Sequence, residues 1–371
     1  MQVENVIVLG AGASGAEGAP LQRDLFHEYY RARTGGTLTH EPPRDLVRFF
    51  KSAFNMDLTA EAVDKANVPT LEEVLGIIET AIQRSEGFRG FGIMANNPKL
   101  QQIREHLILL ICAIIGVPRE RPGYHRAMVR SLSQAKWLSN TCFISLNYDI
   151  YMDNAIIDAR SKFDIDLDYG TDFANYDHAD DWERPTPDCS LPLYKLHGSL
   201  NWLYCPTCTA LTLTPKVKGV LSRRQTGLCP CKEQLAPIIV PPTFFKVMSN
   251  FHLQRIWRSA EQALSAAKRI VFCGYSLPDA DLHLKYLLKR VQMNRPIKPA
   301  NVYVVNDHSK KTDRQRLDEM DRYFRLWGVL KGVRFKELSF QTFCEKGPVS
   351  LDSAPDFDWE LLSERVAATA T

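Results

Sequence analysis

Long apolar runs are missing from this 371-residue chain. The longest, Leu107–Val117 (LILLICAIIGV), has 11 residues, well short of the ~20 that a helix needs to cross a bilayer. A cationic leader is missing too. The opening MQVENVIVLG runs directly into a strand-like segment, so no secretory signal is expected. Neither sign of charge dominates: 46 basic against 43 acidic residues leave +3, which demands neither a nucleic acid nor an anionic membrane as partner. Nine cysteines, an odd number, argue for a reducing, cytoplasmic setting and against a disulfide framework. With 45% hydrophobic and 24% charged residues and no repeats or low-complexity linker, disorder and collagen-like folds are excluded. The length suits about two structural units with a sizeable core.

Val3–Leu9 is β-branched and apolar, the pattern of a buried parallel strand, with a helix expected over 21–31. From Pro42 to Ala135 the strand signal nearly vanishes. Leu71–Ile82, Leu100–Ile115 and His125–Trp137 place apolar residues at helical spacing instead. Strands return at Cys142–Leu146, Leu193–Leu196, Ile238–Val240, Ile270–Cys273 and Val302–Val305, with a further one at Arg334–Leu338. Helices over Asp279–Val291 and Asp313–Trp327 alternate with the later strands. The expected fold class is α/β: a Rossmann-like, doubly wound parallel sheet with a helical insert and a small zinc-ribbon module. Its expected division is a discontinuous sheet domain (1–41, 136–200 and 237–346), an insert (42–135), a ribbon (201–236) and a weakly ordered tail (347–371). The acidic, aromatic stretch Asp164–Cys189 is expected to be a long surface loop.

Gly10, Gly12 and Gly15 follow the first strand with G-x-G-x-x-G spacing. Such glycines let backbone N–H groups approach a diphosphate at a helix N-terminus, and Ser14 would add a hydroxyl donor. The alternative is a tight turn that needs glycine only for packing. A dehydrogenase would show an acidic residue about 20 positions on, at the end of a second strand, to hold the ribose. That region here is helical, so the dehydrogenase variant fails.

Cys205-x-x-Cys208 and Cys229-x-Cys231 are two close pairs separated by a 20-residue ribbon, spacing that suits a closed, structural tetrahedral zinc site. Lys216, Lys218, Arg223 and Arg224 in that ribbon would contact phosphate or line a solvated loop. Cys112, Cys142 and Cys273 lie in apolar runs and read as buried hydrophobes. His197, in Lys195–Ser199, ends a strand and titrates in the range of a general base, though a buried structural histidine is the plainer alternative. Asn147 and Asp149 end another strand, where they would orient a ribose or water or else cap the next helix. Gly274, Ser276 and Asn306 follow two later strands. Four such strand ends in one sheet should converge on one crevice.

Taken in order, these motifs resemble the sirtuin family over roughly two thirds of the chain. The resemblance implies NAD as the bound substrate: Gly10, Ala11, Gly12 and Ser14 match the diphosphate loop, Asn147 and Asp149 the Asn-x-Asp motif, and His197 the catalytic histidine. Gly274 and Ser276 match the Gly-x-Ser loop, Asn306 the ribose-binding Asn, and the four cysteines the structural zinc. Of the family's stretch after the glycine loop, GAPLQRDLF keeps Pro20 and Arg23, and Arg23 is carried over as cofactor-binding. Tyr148 replaces the usual aliphatic residue, and Pro241-Pro242 remove donors that an acyl-peptide strand would use. LHGSLNW, VPPTFF and GYSLPDAD look like prokaryotic sirtuin-like domains of anti-phage defence. That likeness implies an NAD+ hydrolase that depletes NAD, with Asn147, Asp149 and His197 catalytic. It also implies control by homo-oligomerisation or by a partner protein such as an ATPase. An NAD-dependent protein deacylase and a non-catalytic NAD- or ADP-ribose-sensing assembly module are the alternatives.

Overall fold

A computed structural model describes residues 3–60, 68–93, 100–117, 119, 121–174, 183–214, 228–240, 250–294, 300–309, 311–327 and 332–368. The ribbon cations Lys216, Lys218, Arg223 and Arg224 and the pair Pro241-Pro242 lie outside these residues.

The β-branched runs form a seven-stranded sheet. Its strands are β1 (Asn5–Leu9), β2 (Thr141–Ser145), β3 (Asp166–Asp168), β4 (Ser190–Lys195), β8 (Arg269–Cys273), β9 (Asn301–Val305) and β10 (Val333–Lys336). The order is β10-β9-β8-β1-β2-β4-β3, with every pair parallel. The chain winds outward from β1 through β2 to β4 and β3, then returns to lay β8 on the other side of β1. The switch point therefore falls at β1 and β8, where a doubly wound sheet opens a crevice beyond its strand C-termini. A second sheet, antiparallel and of order β6-β5-β7, joins β5 (Gly198–Tyr204), β6 (Leu211–Leu213) and β7 (Ala236–Ile239). Ile238 thus belongs to this small sheet and not to the parallel one.

Two apolar cores form. One surrounds the parallel sheet. The other joins α2 (Leu25–Thr34), α3 (Arg44–Phe54), α4 (Leu71–Gln83) and α5 (Leu100–Ile115) through residues such as Phe26, Phe50, Val74 and Leu107. Packing draws the limits of the helical unit away from 42–135. Leu25, Phe26, Tyr29 and Tyr30 of α2 are in the helical core, whereas Met128, Val129 and Leu132 of α6 (Tyr124–Gln134) pack with the sheet. A smaller cluster of Ile108, Cys112, Leu200 and Ile239 binds α5 to the antiparallel sheet. No helix among the described residues is long and apolar enough to cross a membrane.

Two expectations are corrected. The stretch 164–189 is not wholly a loop, since β3 pairs in parallel with β4 there. Nor is the C-terminal segment weakly ordered: Val349–Ser353 and Trp359–Ala368 are helical, Leu351 and Leu362 are buried, and the Phe357 N–H donates to Phe335 O at 2.8 Å. Scattered apolar residues too few to show a period (Leu351, Phe357, Trp359, Leu362) find partners on β10 and its neighbours. Cys112, Cys142 and Cys273 are buried as expected.

Beyond β1 and β8 the backbones touch. A Cβ on Gly10 would lie 2.6 Å from Gly274 O, and one on Gly274, whose φ is +64, would lie 2.1 Å from Ala13 N. The Gly12 N–H donates to Gly274 O at 2.8 Å. Only glycine permits this approach. Gly274→Ala is expected to destabilise by roughly 3 kcal/mol or more, because both strain and backbone overlap must be relieved. Gly76→Ala, inside α4 with nothing within 4 Å of the new Cβ, should stabilise by about 0.5–1 kcal/mol. Thermal unfolding of the two variants checks the contrast.

Glu17, which ends the short helix α1 (Ala11–Ala16), fastens it to α6. It is 2% exposed and accepts from Gly123 N at 3.0 Å, His125 N at 2.8 Å and His125 Nδ1 at 3.0 Å. Burial opposes its ionisation, but the hydrogen bonds from His125 and Gly123 prevail and lower its pKa from 4.5 to about 2. A lowered carboxyl adds stability above its unfolded pKa that is lost as pH falls through the folded one. Wild type should therefore lose stability between pH ~4.5 and ~2 more steeply than Glu17→Gln, as melting temperature against pH will show.

Candidate active site

At the crevice the strand ends line an open cleft. Ala11 and Ser14 enter it from the β1 turn, Leu146–Asp149 from the end of β2, His197 from the end of β4, and Tyr275, Ala280 and Asp281 from the turn after β8. Leu71 and Glu72 of α4 and Ile115 of α5 close it from the helical unit. The cleft is therefore built by both cores.

Backbone bonds hold these turns in register: Leu146 N donates to Leu9 O at 2.9 Å, Leu196 N to Ser145 O at 3.0 Å and Leu200 N to Tyr148 O at 2.8 Å. Side chains then cross between them. Asn147 Nδ2 donates to Gly10 O at 2.8 Å, and Ser14 Oγ to Asp149 Oδ2 at 2.5 Å. The other Asp149 oxygen accepts from Tyr151 N at 3.1 Å, so this carboxylate caps α7 (Tyr151–Phe163) while facing the cleft. His197 Nδ1 lies 3.0 Å from Leu146 O. A carbonyl only accepts, so Nδ1 carries the proton and Nε2 is the basic nitrogen, the arrangement of a positioned general base. The His197 ring sits between those of Tyr148 (centroids 6.5 Å apart) and Trp257 (6.4 Å).

Beneath the cleft lies a polar chain with no clear sequence signal. Lys195, fully buried, donates to Asp149 O and, at 3.1 Å, to Asp153 Oδ2. Asp153 Oδ1 accepts from Tyr169 Oη at 2.6 Å, and Tyr169 Oη accepts from Asn201 Nδ2 at 3.0 Å. Lys195 thereby ties the β2 turn to the strand that ends in His197. Glu72, Asp281, Gln22 and Tyr275 were also not legible as lining residues, because their elements meet the cleft only through tertiary packing.

The expected site residues do not all arrive together. Ala11, Ser14, Asn147, Asp149 and His197 line the cleft. Gly10, Gly12 and Gly274 stand behind it as the interlocked turn, with the N–H groups of Gly10 and Gly12 bonded to Cys273 O and Gly274 O. Those two donors are therefore engaged within the protein. Asn306 is a buried brace: its side chain accepts from Tyr275 N at 3.0 Å and donates to Tyr275 O at 2.9 Å and to Glu319. Ser276 is half-buried outside the cleft lining, its carbonyl accepting from Arg322 Nε at 3.0 Å. The Arg23 side chain is 77% exposed and lies 3.6 Å from Asp24.

The four expected metal ligands do meet. The sulfurs of Cys205, Cys208, Cys229 and Cys231 all lie within 4.8 Å of one another, with the cross pairs 205–231 and 208–229 at 3.4 Å. A zinc tetrahedron with ~2.3 Å bonds has sulfur–sulfur edges of about 3.8 Å, so the donor set fits. Burial opposes the Cys205 thiolate, but N–H groups of Cys208 and Thr207 favour it and bring the thiol down to about 7. Among the described residues, Leu203 and Leu235 share a small core with Cys205 and Cys229. Purified protein is expected to carry about one zinc per chain. Removing it with a chelator, or Cys229→Ser, should lower the melting temperature, with metal content measured in parallel.

Comparison with known proteins places the chain. No curated protein matches it. In structure it is similar to a sirtuin solved for the structural basis of substrate affinity, at 16% identity over 82% of each chain with a TM-score of 0.36. It is likewise similar to Sir2 with a p53 peptide and NAD+, at 17% identity over 82% of this chain and 81% of that one, with a TM-score of 0.34. The SIR2-like domain family matches residues 141–326, half of the chain and all of β2 to β9, and the protein belongs to that family.

Proposed function

We propose that the protein hydrolyses NAD+ to ADP-ribose and nicotinamide. The observation that carries this is the convergence of Asn147, the Ser14–Asp149 pair and a tautomerically set His197 on one cleft at the switch point of the sheet. The bond from C1′ of the ribose to the nicotinamide nitrogen breaks with its electron pair going to the ring, leaving an oxocarbenium-like ribose. Water then attacks C1′ and loses a proton, for which His197 Nε2 is the acceptor. The Asp149 carboxylate, which lines the cleft, stabilises the developing cation in this reading, and Asn147, held to Gly10 O, orients ribose or water. The four cysteines would hold a structural zinc, whose role would be to brace the module and not to act on the substrate.

Deacylation would need an acyl-peptide beside the same cleft. β7 pairs with β5 on one side and its Pro237 has no N–H, while the N–H of Val240, just beyond it, is given to His197 O at 2.9 Å. The donors that Pro241-Pro242 lack in the sequence, together with the likeness to defence-associated domains, support water as the acceptor. The sequence resemblance to defence-associated domains supports a role in NAD depletion during phage infection, with restraint by self-assembly or by a partner such as an ATPase.

Chromatography of NAD+ incubated with the protein, with and without an acetyl-lysine peptide, is the test. ADP-ribose and nicotinamide are expected without peptide, and His197→Ala should lower the rate by about 10²–10⁴-fold while leaving the melting curve unchanged. Turnover only with the peptide, and an O-acyl product, would establish the deacylase instead. Intact NAD+ that nonetheless binds would leave a sensing module.

A further inference from the structure

If NAD+ is cleaved in this cleft, as proposed above, its ribosyl cation forms beside a hydroxyl that the water route does not use. Ser14 and Asp149 both line the cleft, 5% and 8% exposed, and Ser14 Oγ donates to Asp149 Oδ2 at 2.5 Å. A carboxylate only accepts, so the proton of this bond belongs to the serine. The sequence pattern offers that proton to a diphosphate, but in the fold it is committed to Asp149. The serine oxygen therefore meets a ligand as an acceptor or as a nucleophile.

The pair is held from several sides. Asn147 Nδ2 donates to Gly10 O, one helical turn before Ser14, so the β2 turn is tied to the start of α1 at two points. Tyr151 N donates to Asp149 Oδ1 at 3.1 Å and orients the carboxylate, and buried Lys195 bonds the Asp149 carbonyl from below. A hydroxyl, a carboxylate that receives its proton and a third group that fixes the carboxylate make the arrangement of an activated nucleophile. A carboxylate is a weak base toward an ordinary alcohol, but an oxocarbenium-like carbon is electrophilic enough to need little help. Because Asp149 stabilises that cation in the reading above, the hydroxyl bonded to it lies one hydrogen bond from the group that serves C1′.

We propose that Ser14 is the first acceptor of the ribosyl group, so that cleavage passes through an ADP-ribosyl-serine on the protein. The bond from C1′ to the nicotinamide nitrogen breaks with its electron pair going to the ring, Ser14 Oγ bonds to C1′, and the serine proton passes to Asp149. Water then bonds to C1′ and gives a proton to His197 Nε2, while the bond from C1′ to Oγ breaks and the serine recovers its proton from Asp149. The sum is unchanged: NAD+ and water give ADP-ribose, nicotinamide and a proton. Only the second step uses His197.

That division of labour sets the test. His197→Ala, given NAD+, is expected to release about one nicotinamide per chain in a burst and then stall, with an ADP-ribosyl group on the peptide that contains Ser14. Rapid-quench chromatography counts the nicotinamide, and peptide mass spectrometry places the group. Adding Ser14→Ala should abolish both burst and adduct, whereas Ser14→Cys, which keeps a nucleophile of similar size, should restore them. Melting curves show that each variant is folded. The bond to serine should also resist neutral hydroxylamine. An adduct that hydroxylamine removes, or that persists with Ser14→Ala, would put the bond on a carboxylate such as Asp149 and overturn the proposal. Turnover by wild type with neither burst nor adduct in His197→Ala would overturn it too, while leaving direct hydrolysis by water standing. Wild type that releases no nicotinamide would sink both readings.

Discussion

Backbone touches backbone where the turn after β1 meets the turn after β8, and the functional part of the molecule is hung on that contact. Gly10 and Gly12 leave no space for a side chain against Gly274, and Gly274 adopts a positive φ that its neighbours require. Because β1 and β8 flank the switch point, closing them this tightly sets where every other turn must lie. Asn147 hooks onto Gly10 O from one side. From the other, Asn306 and Tyr323 brace the backbone of Tyr275. The loop glycines thus serve packing at least as much as ligand approach, since two of their N–H groups are already bonded within the fold.

Around that contact the protein assembles a site from two hydrophobic cores. The sheet supplies the polar strand ends, and the helices supply a wall that includes Leu71, Glu72 and Ile115. Ile108 and Cys112 of α5 packed on Leu200 and Ile239 keep the wall in place. The helical unit therefore finishes the cleft. Below it, fully buried Lys195 is hydrogen-bonded to Asp149 O and Asp153, which offsets the cost of taking its amine out of water.

Much of the site was legible because strand ends are local. Cys142–Leu146 is an apolar run that stops at Asn147, and Leu193–Leu196 stops at His197, so their C-terminal residues had to share one edge of a parallel sheet. The cysteine pairs were legible from spacing alone. Arg23, Ser276 and Asn306 show the opposite limit. Each matched a pattern, yet Arg23 extends into solvent, Ser276 lies off the cleft lining and Asn306 is occupied by Tyr275 and Glu319. A motif specifies where a backbone goes more firmly than what its side chain touches.

The sequence by itself determined the parallel sheet, its glycine-bearing and polar strand ends and the cysteine cluster, because each depends on local period or spacing. The strand order, its switch point and the glycine contact came from the tertiary structure. It decided the rest as well. The helical core begins at α2, α6 joins the sheet, and the C-terminal segment packs back onto it, because apolar side chains choose partners by shape and available surface over long sequence separations. The acidic character of the cleft was decided there too: Glu72, Asp149 and Asp281 are separated by 77 and 132 residues in the chain and meet only once both cores have formed.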